Sequence, residues 1–241
     1  SRLHKGFSFA KRFRECSDWI CCDGVAWAGR WAAWAPGGKH REQAFSHVVL
    51  DLGCGKGEYT VACAKIRPDV LFVGFDVDAV CTLRAAEAAA AAGVDNAVFL
   101  MDGVPSFDDG EAETSVKHVE QAHASRASAG ERARSGAPAE IDLSTVFAVG
   151  ELSALLMNFP TPFPKKKKAH LRLTYLDRLM GYRPMLGQGA GIRLRTDSQP
   201  LRDFTLTQLE LAGYQVTWRS EDVRAEFPDE PWSAYERKLT E

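Results

Sequence analysis

Three aspartates stand where apolar runs of this chain come to an end: Asp51 after VVL, Asp76 after LFVGF and Asp102 after VFLM. A β-rich run closing on a carboxylate puts the acid at a strand's carboxyl end, where open parallel sheets collect their ligands. Between the first two lies LGCGKG, with glycines at 53, 55 and 57. Glycines there permit a tight turn and close backbone approach by a ligand. A dinucleotide fingerprint would carry its third glycine one residue later, which disfavours NAD, and the phosphate-gripping lysine motif of ATP sites is absent. A second constellation is LMNFPTPFPKKKKAHLRLT at 156–174. Pro160, Pro162 and Pro164 stiffen a strand exit and withhold backbone donors, displaying Asn158, Thr161 and Phe163 at the same sheet edge. The lysines at 165–168 that follow would hold a polyanion there.

Taken singly, an aspartate is more often a turn or cap residue, and a lysine run more often a solvated face. Repetition at equivalent strand ends changes the balance, because one nucleoside could touch all three acids. Asp76 suits two ribose hydroxyls, Asp51 a positively charged amino-acid end and Asp102 an adenine amino group. With Gly53, Gly55 and Asn158 completing the edge, that set suits S-adenosylmethionine.

The elements that must position these residues can be read from periodicity. Strands are expected at 47–52, 71–75 and 97–100, with helices at 58–66 and at 79–92, the latter closed by Gly93. This βαβαβ alternation implies an α/β fold with a mainly parallel sheet. Further on come a helix from about Leu143 capped by Asp142, a strand at 154–159, a helix from Tyr175, a strand at 191–195 and a helix at 201–212 closed by Gly213. Strands at 215–220 and 234–240 would form a terminal antiparallel hairpin. Residues 104–140 contain no Leu or Ile and one aromatic, Phe107, so they are expected to be a mobile insertion. The chain divides into an arm at 1–45 and a catalytic domain at 46–241. In the arm, Phe7, Phe9 and Phe13 interleave with Lys5, Lys11, Arg12 and Arg14, a mix that suits RNA contact or a solvated arm with aromatic anchors. Trp27, Trp31 and Trp34 would share one helical face as a docking stripe.

Composition sets the outer limits. With 241 residues, 45% of them hydrophobic, the chain can bury a full core. Thirty Lys and Arg against 32 Asp and Glu leave a net charge of -2, so nucleic-acid affinity must come from local patches. The six cysteines include no C-x-x-C pair, which supports neither zinc nor a disulfide framework and fits reduced cytoplasmic thiols. The apolar stretch at 19–35 is broken by Asp23 and Arg30, too charged for a membrane span, and no signal-peptide pattern precedes it.

NFPTPFPKKKKAHLRLT resembles the signature of the bacterial tRNA (guanine-N7)-methyltransferases, a variant of N-F-[SP]-D-P-W-P-K-K-R-H-x-K-R-R-L. LDLGCGKGEYTVACAKIRPDVLFVGFDV resembles that family's first motifs, LRTDS at 194–198 its K-T-D segment and SAYERK at 233–238 its T-x-Y-E-x-K terminus. The resemblance implies a Rossmann-like class I methyltransferase fold, with a seven-stranded, mostly parallel sheet and a C-terminal antiparallel hairpin. It implies methyl transfer from S-adenosylmethionine to guanine N7 at position 46 in the tRNA variable loop, by a cytoplasmic monomer or homodimer without metal or membrane partners. It also implies cofactor contacts at Asp51, Asp76 and Asp102, and substrate contacts at Lys165, Asp197, Ser233, Tyr235 and Glu236. Lys167, Lys168, His170 and Arg172 would follow the RNA backbone. The family's catalytic aspartate is Thr161 here, which cannot accept a proton at neutral pH. Thr161 is then expected to orient base or cofactor while Asp197 and Glu236 hold the guanine amino edge. The competing expectations are a methyltransferase acting on a small molecule or a protein, and a catalytically silent tRNA-binding relative.

Overall fold

The computed structural model describes residues 8–102 and 141–240. Its amino-terminal part supplies helix α1 (Phe9–Cys16) and three two-residue strands, β1 (Ile20–Cys21), β2 (Trp34–Ala35) and β3 (Lys39–His40). Strand and helix then alternate through β4 (His47–Leu52), α2 (Glu58–Ile66), β5 (Val70–Phe75), α3 (Ala79–Ala92) and β6 (Ala97–Leu100). From residue 141 follow α4 (Leu143–Val146), β7 (Leu152–Asn158), α5 (Leu176–Tyr182), β8 (Leu186–Arg195), α6 (Gln199–Leu211), α7 (Val223–Glu226) and α8 (Ala234–Thr240). The elements between residues 47 and 100 lie where periodicity puts them, to within one residue.

Among the described residues the main sheet has six strands, all parallel, in the order β1-β6-β5-β4-β7-β8. Its central strands β4, β5 and β6 are buried on both faces, so alternate residues feed two cores. Val48, Leu50, Leu71, Val73, Val98, Leu155 and Met157 pack one side, against Leu179 and Tyr182 of α5 and Trp31 and Trp34. Val49, Phe72, Phe99 and Leu156 pack the other, against Leu83 and Ala86 of α3 and Tyr59 and Val61 of α2. Gly57 tightens the second layer: a Cβ there would lie 2.6 Å from the Cβ of Ala85 on α3. No helix of the described residues is long and apolar enough to cross a membrane.

Four expectations change. The seven-stranded sheet with a terminal hairpin is replaced by six parallel strands: residues 215–220 and 234–240 supply no strand, the latter forming α8, and the short β1, not expected from the sequence, joins the edge beside β6. Ser233 and Glu236 make a capping box: Ser233 Oγ accepts from the Glu236 amide at 3.2 Å, and Glu236 Oε2 accepts from the Ser233 amide at 2.9 Å. Residues 215–220, deprived of that hairpin partner, form no ladder and leave Val216 and Trp218 exposed. The tryptophans lie on no common helix, since Trp27 and Trp31 belong to two 3-10 turns separated at Gly29 and Trp34 opens β2. All three are still buried in the core, with Trp31 Nε1 donating to the Val146 carbonyl at 2.8 Å. β8 begins five residues before its expected start, in a stretch where Gly187, Gly189 and Gly191 erase the side-chain pattern of a strand. The expected insertion at 104–140 lies outside the described residues.

Candidate active site

The glycine loop is a backbone device tied down by carboxylates. The amides of Gly53 and Cys54 both donate to the Phe75 carbonyl, at 2.7 and 3.1 Å, which folds the loop over the end of β5. Gly55 takes φ +57°, and its amide donates to Asp76 Oδ2 at 2.9 Å. Asp76 Oδ1 accepts from the Asp78 amide at 2.9 Å, so this carboxylate organises two turns at once. Asp51 lies beneath the loop, only 1% exposed. Its Oδ2 accepts from Thr60 Oγ1 at 2.6 Å, and its Oδ1 accepts from Asn158 Nδ2 at 3.2 Å. Burial pushes its carboxyl up to about 6, against the lowering effect of those two hydrogen bonds. Asp102, part-buried, lies just past the end of β6.

The proline turn continues from β7 at the neighbouring strand end, where Asn158 pairs in register with Arg195 of β8. Two residues that precede prolines have positive φ, Phe159 at +50° and Phe163 at +41°. Such conformations cost on the order of 1–3 kcal/mol each and persist only where the surroundings enforce them. The Phe159 amide donates to the Arg195 carbonyl at 2.8 Å, and its ring lies 5.0 Å from that of Tyr235. Beyond the turn, Lys166–Leu171 form a 3-10 helix that leaves Lys165, Lys167, Lys168 and His170 exposed, as is Thr161. Arg172, expected along the RNA backbone, is instead turned inward and 8% exposed.

The third part of the site is the junction of β8 with the chain terminus. Asp197 is exposed, and its Oδ2 accepts from the Tyr235 hydroxyl at 2.9 Å, which raises that phenol's pKa. Glu236 and Ser233, both expected on the substrate, are buried. Glu236 Oε1 accepts from Arg195 Nη2 and, at 2.7 Å, from Arg224 Nη2, while its Oε2 is held by the amide and hydroxyl of Ser233. Burial works to raise the Glu236 pKa, but the Ser233 amide, Arg224 and Arg195 outweigh it and hold the carboxyl below its ordinary value. The structure thus gathers Asp51, Asp76, Asn158, Thr161 and Asp197 along one carboxyl edge of the sheet, with Glu236 engaged just behind it. Sequence reasoning did not single out Thr60, Arg195 or Arg224. Thr60 follows the glycine loop on α2 and Arg195 immediately precedes Thr196-Asp197, so position beside a motif was the available signal.

The glycine edge accommodates S-adenosylmethionine. A Cβ at Gly55 would meet no heavy atom within 4 Å, and one at Gly53 only the side chain of Leu173 at 3.8 Å, so the loop presents open backbone. The Asp76 carboxylate stands beside that opening, and the buried Asp51 lies below it. This parallel sheet, with its glycine loop and acidic strand ends, is a Rossmann-like α/β architecture, and its family match makes it a methyltransferase with S-adenosylmethionine as methyl donor. A family model described as a putative methyltransferase matches residues 46–120 and 135–241. The tRNA (guanine-N(7)-)-methyltransferase of Christiangramia forsetii is 31% identical over 189 residues, covering 77% of this chain and 68% of that protein. Its namesake from Geobacillus kaustophilus is 27% identical over 207 residues, covering 84% and 78%. The chain belongs to the tRNA (guanine-N7)-methyltransferase family.

Proposed function

We propose that the protein transfers the methyl group of S-adenosylmethionine to N7 of a guanine in tRNA, at position 46 of the variable loop. One observation carries this reading: the exposed lysine turn and Asp197 stand at the same strand edge as the glycine loop, so an anchored polyanion is delivered to the methyl donor. When bound, S-adenosylmethionine supplies an electrophilic methyl group, and the guanine N7 lone pair forms the new N–C bond as the C–S electron pair returns to sulfur.

N7 is already an acceptor, so no proton must leave before attack. The protein's task is placement, which can supply on the order of 7–11 kcal/mol of the barrier. Asp76 and the glycine backbone hold the cofactor end, with Asn158 linking that end to the proline turn through Asp51. Asp197 accepts from the guanine amino edge, its carboxylate oriented by Tyr235. Glu236 supports it from behind, through the α8 cap that carries Tyr235. Thr161 orients the base through its hydroxyl, and Lys165, Lys167 and Lys168 take phosphates. The reaction is placed in the cytoplasm, in keeping with six unpaired thiols.

Position is tested on a tRNA transcript by reduction and aniline cleavage, which cut the chain at N7-methylguanosine. Scission at guanine 46, lost when that base is replaced by adenine, is the expected outcome. Scission elsewhere contradicts the assignment. Substrate affinity that ignores salt would favour a small-molecule or protein substrate instead.

A further inference from the structure

We infer that Arg172 is a positioning residue that holds the proline turn in its active shape, and that it does not contact the RNA. The inference rests on the proposed function in taking that turn as the substrate edge. Its starting point is a deficit of donors. Pro160, Pro162 and Pro164 have no N–H, so residues 159–164 cannot knit themselves together as an ordinary turn does. The donors come from outside. Arg172 Nε donates to the Pro162 carbonyl and Arg172 Nη2 to the Phe163 carbonyl, both at 3.0 Å. Two adjacent carbonyls are thereby gripped by one planar fork, a geometry that an ammonium group cannot reproduce.

The fork is itself fixed. The guanidinium carbon lies 4.2 Å from the centroid of Phe204 on α6, and the rings of Phe204 and Tyr175 are stacked with centroids 6.4 Å apart. Phe163, one of the two acceptors, is one of the turn's two residues at positive φ, so the grip falls on a strained point. Thr161 immediately precedes the other acceptor. The exposed Lys165, Lys167 and Lys168 are aimed at solvent while Arg172 is buried, so the basic stretch divides into an outward clamp and an inward brace.

The test compares Arg172→Lys with Arg172→Gln in the full chain, reading kcat, tRNA Kd against salt, and hydrogen exchange across residues 159–168. A brace predicts that both variants lose kcat by about a hundredfold, the scale of a small misplacement at a reacting centre. Both keep the wild-type tRNA Kd and salt slope, and exchange across the turn rises in both. An RNA contact predicts another pattern: Arg172→Gln weakens tRNA binding and reduces the salt slope by about one, while Arg172→Lys restores both. That pattern, or unchanged exchange in the two variants, overturns the inference. Should neither Arg172 variant fold, Phe204→Leu removes the plate beneath the fork without changing charge. Faster exchange and lower kcat at unchanged tRNA Kd then support the brace, and wild-type values overturn it. If the unmodified protein methylates no tRNA, the substrate reading fails while exchange still decides the role of Arg172.

Discussion

The cofactor half and the substrate half of this site lie on adjacent strand ends but are built by opposite means. Between residues 48 and 102 geometry comes mainly from the backbone: regular strands, a helix α3 closed by Gly93, and a loop whose amides are bonded to the Phe75 carbonyl and the Asp76 carboxylate at the next strand end. From Asn158 onward it comes from side chains, most of them charged, that clasp one segment to another. Arg172 grips the proline turn, Glu236 ties Arg195 to Arg224, and Tyr235 meets Asp197. A device built on backbone groups tolerates side-chain variation, whereas a clasp fails when either partner changes. The difference suits the task, since the donor is one small molecule and the acceptor a large polyanion that must be seated at several points.

Perturbing each half separately should sharpen this contrast. The largest effect is expected in the cofactor half from Gly57→Ala, which drives a methyl group to 2.6 Å from the Ala85 Cβ and 2.9 Å from its Cα at a backbone φ of +73°. Overpacking and left-handed strain together predict a loss of about 3 kcal/mol or more, read from the urea midpoint at constant m. An unchanged midpoint would show that the α2–α3 contact yields.

In the substrate half, replacing Lys165, Lys166, Lys167 and Lys168 together by alanine should reduce the salt slope of tRNA binding by about 3 to 4, weakening affinity about a hundredfold at low salt. Cofactor affinity and urea midpoint should stay as they were, because these four side chains are exposed. A fall in cofactor affinity would break the separation of the halves.

Asp51 links stability to pH. Its folded pKa of about 6 lies above the ordinary aspartate value of 3.8, so the folded state binds the extra proton between those values. The contribution of this group is therefore full below about pH 4 and is lost as pH rises through about 6, a change of roughly 2 to 3 kcal/mol. Urea titrations across that window should show the decline in the wild type and its absence in Asp51→Asn. The smallest effect is expected from Thr161→Ala: an orienting hydroxyl is worth about 1 kcal/mol, so kcat should fall about three- to tenfold. Asp197→Ala should cost more, about ten- to a hundredfold, as loss of a charged acceptor does. Equal effects would remove the distinction between the two roles.

The same contrast explains what could be read from the sequence. Strands of Val, Leu and Phe ending on Asp51, Asp76 and the glycine loop declare themselves within short windows, and their boundaries were legible to about one residue. The substrate half was legible as chemistry but not as geometry. Lysines at 165–168 announce a polyanion site, yet nothing local tells that Arg172 faces inward, because that depends on Phe204 from a later helix. Residues 233–240 carry an S-x-x-E capping box, a helix-start signal that runs against the expected terminal strand. Glu236 is drawn away from the substrate edge by Arg195 and Arg224, whose approach is set by folding of the whole terminus.

The central claim is that these two halves cooperate in methylating guanine N7, with threonine at the position where the family signature has aspartate. The most direct measurement incubates the protein with labelled S-adenosylmethionine and bulk tRNA lacking the modification, followed by nucleoside analysis of the recovered RNA. The account predicts label in N7-methylguanosine, greatly reduced in Asp197→Ala. Tight, salt-dependent tRNA binding with no methylated nucleoside would contradict it.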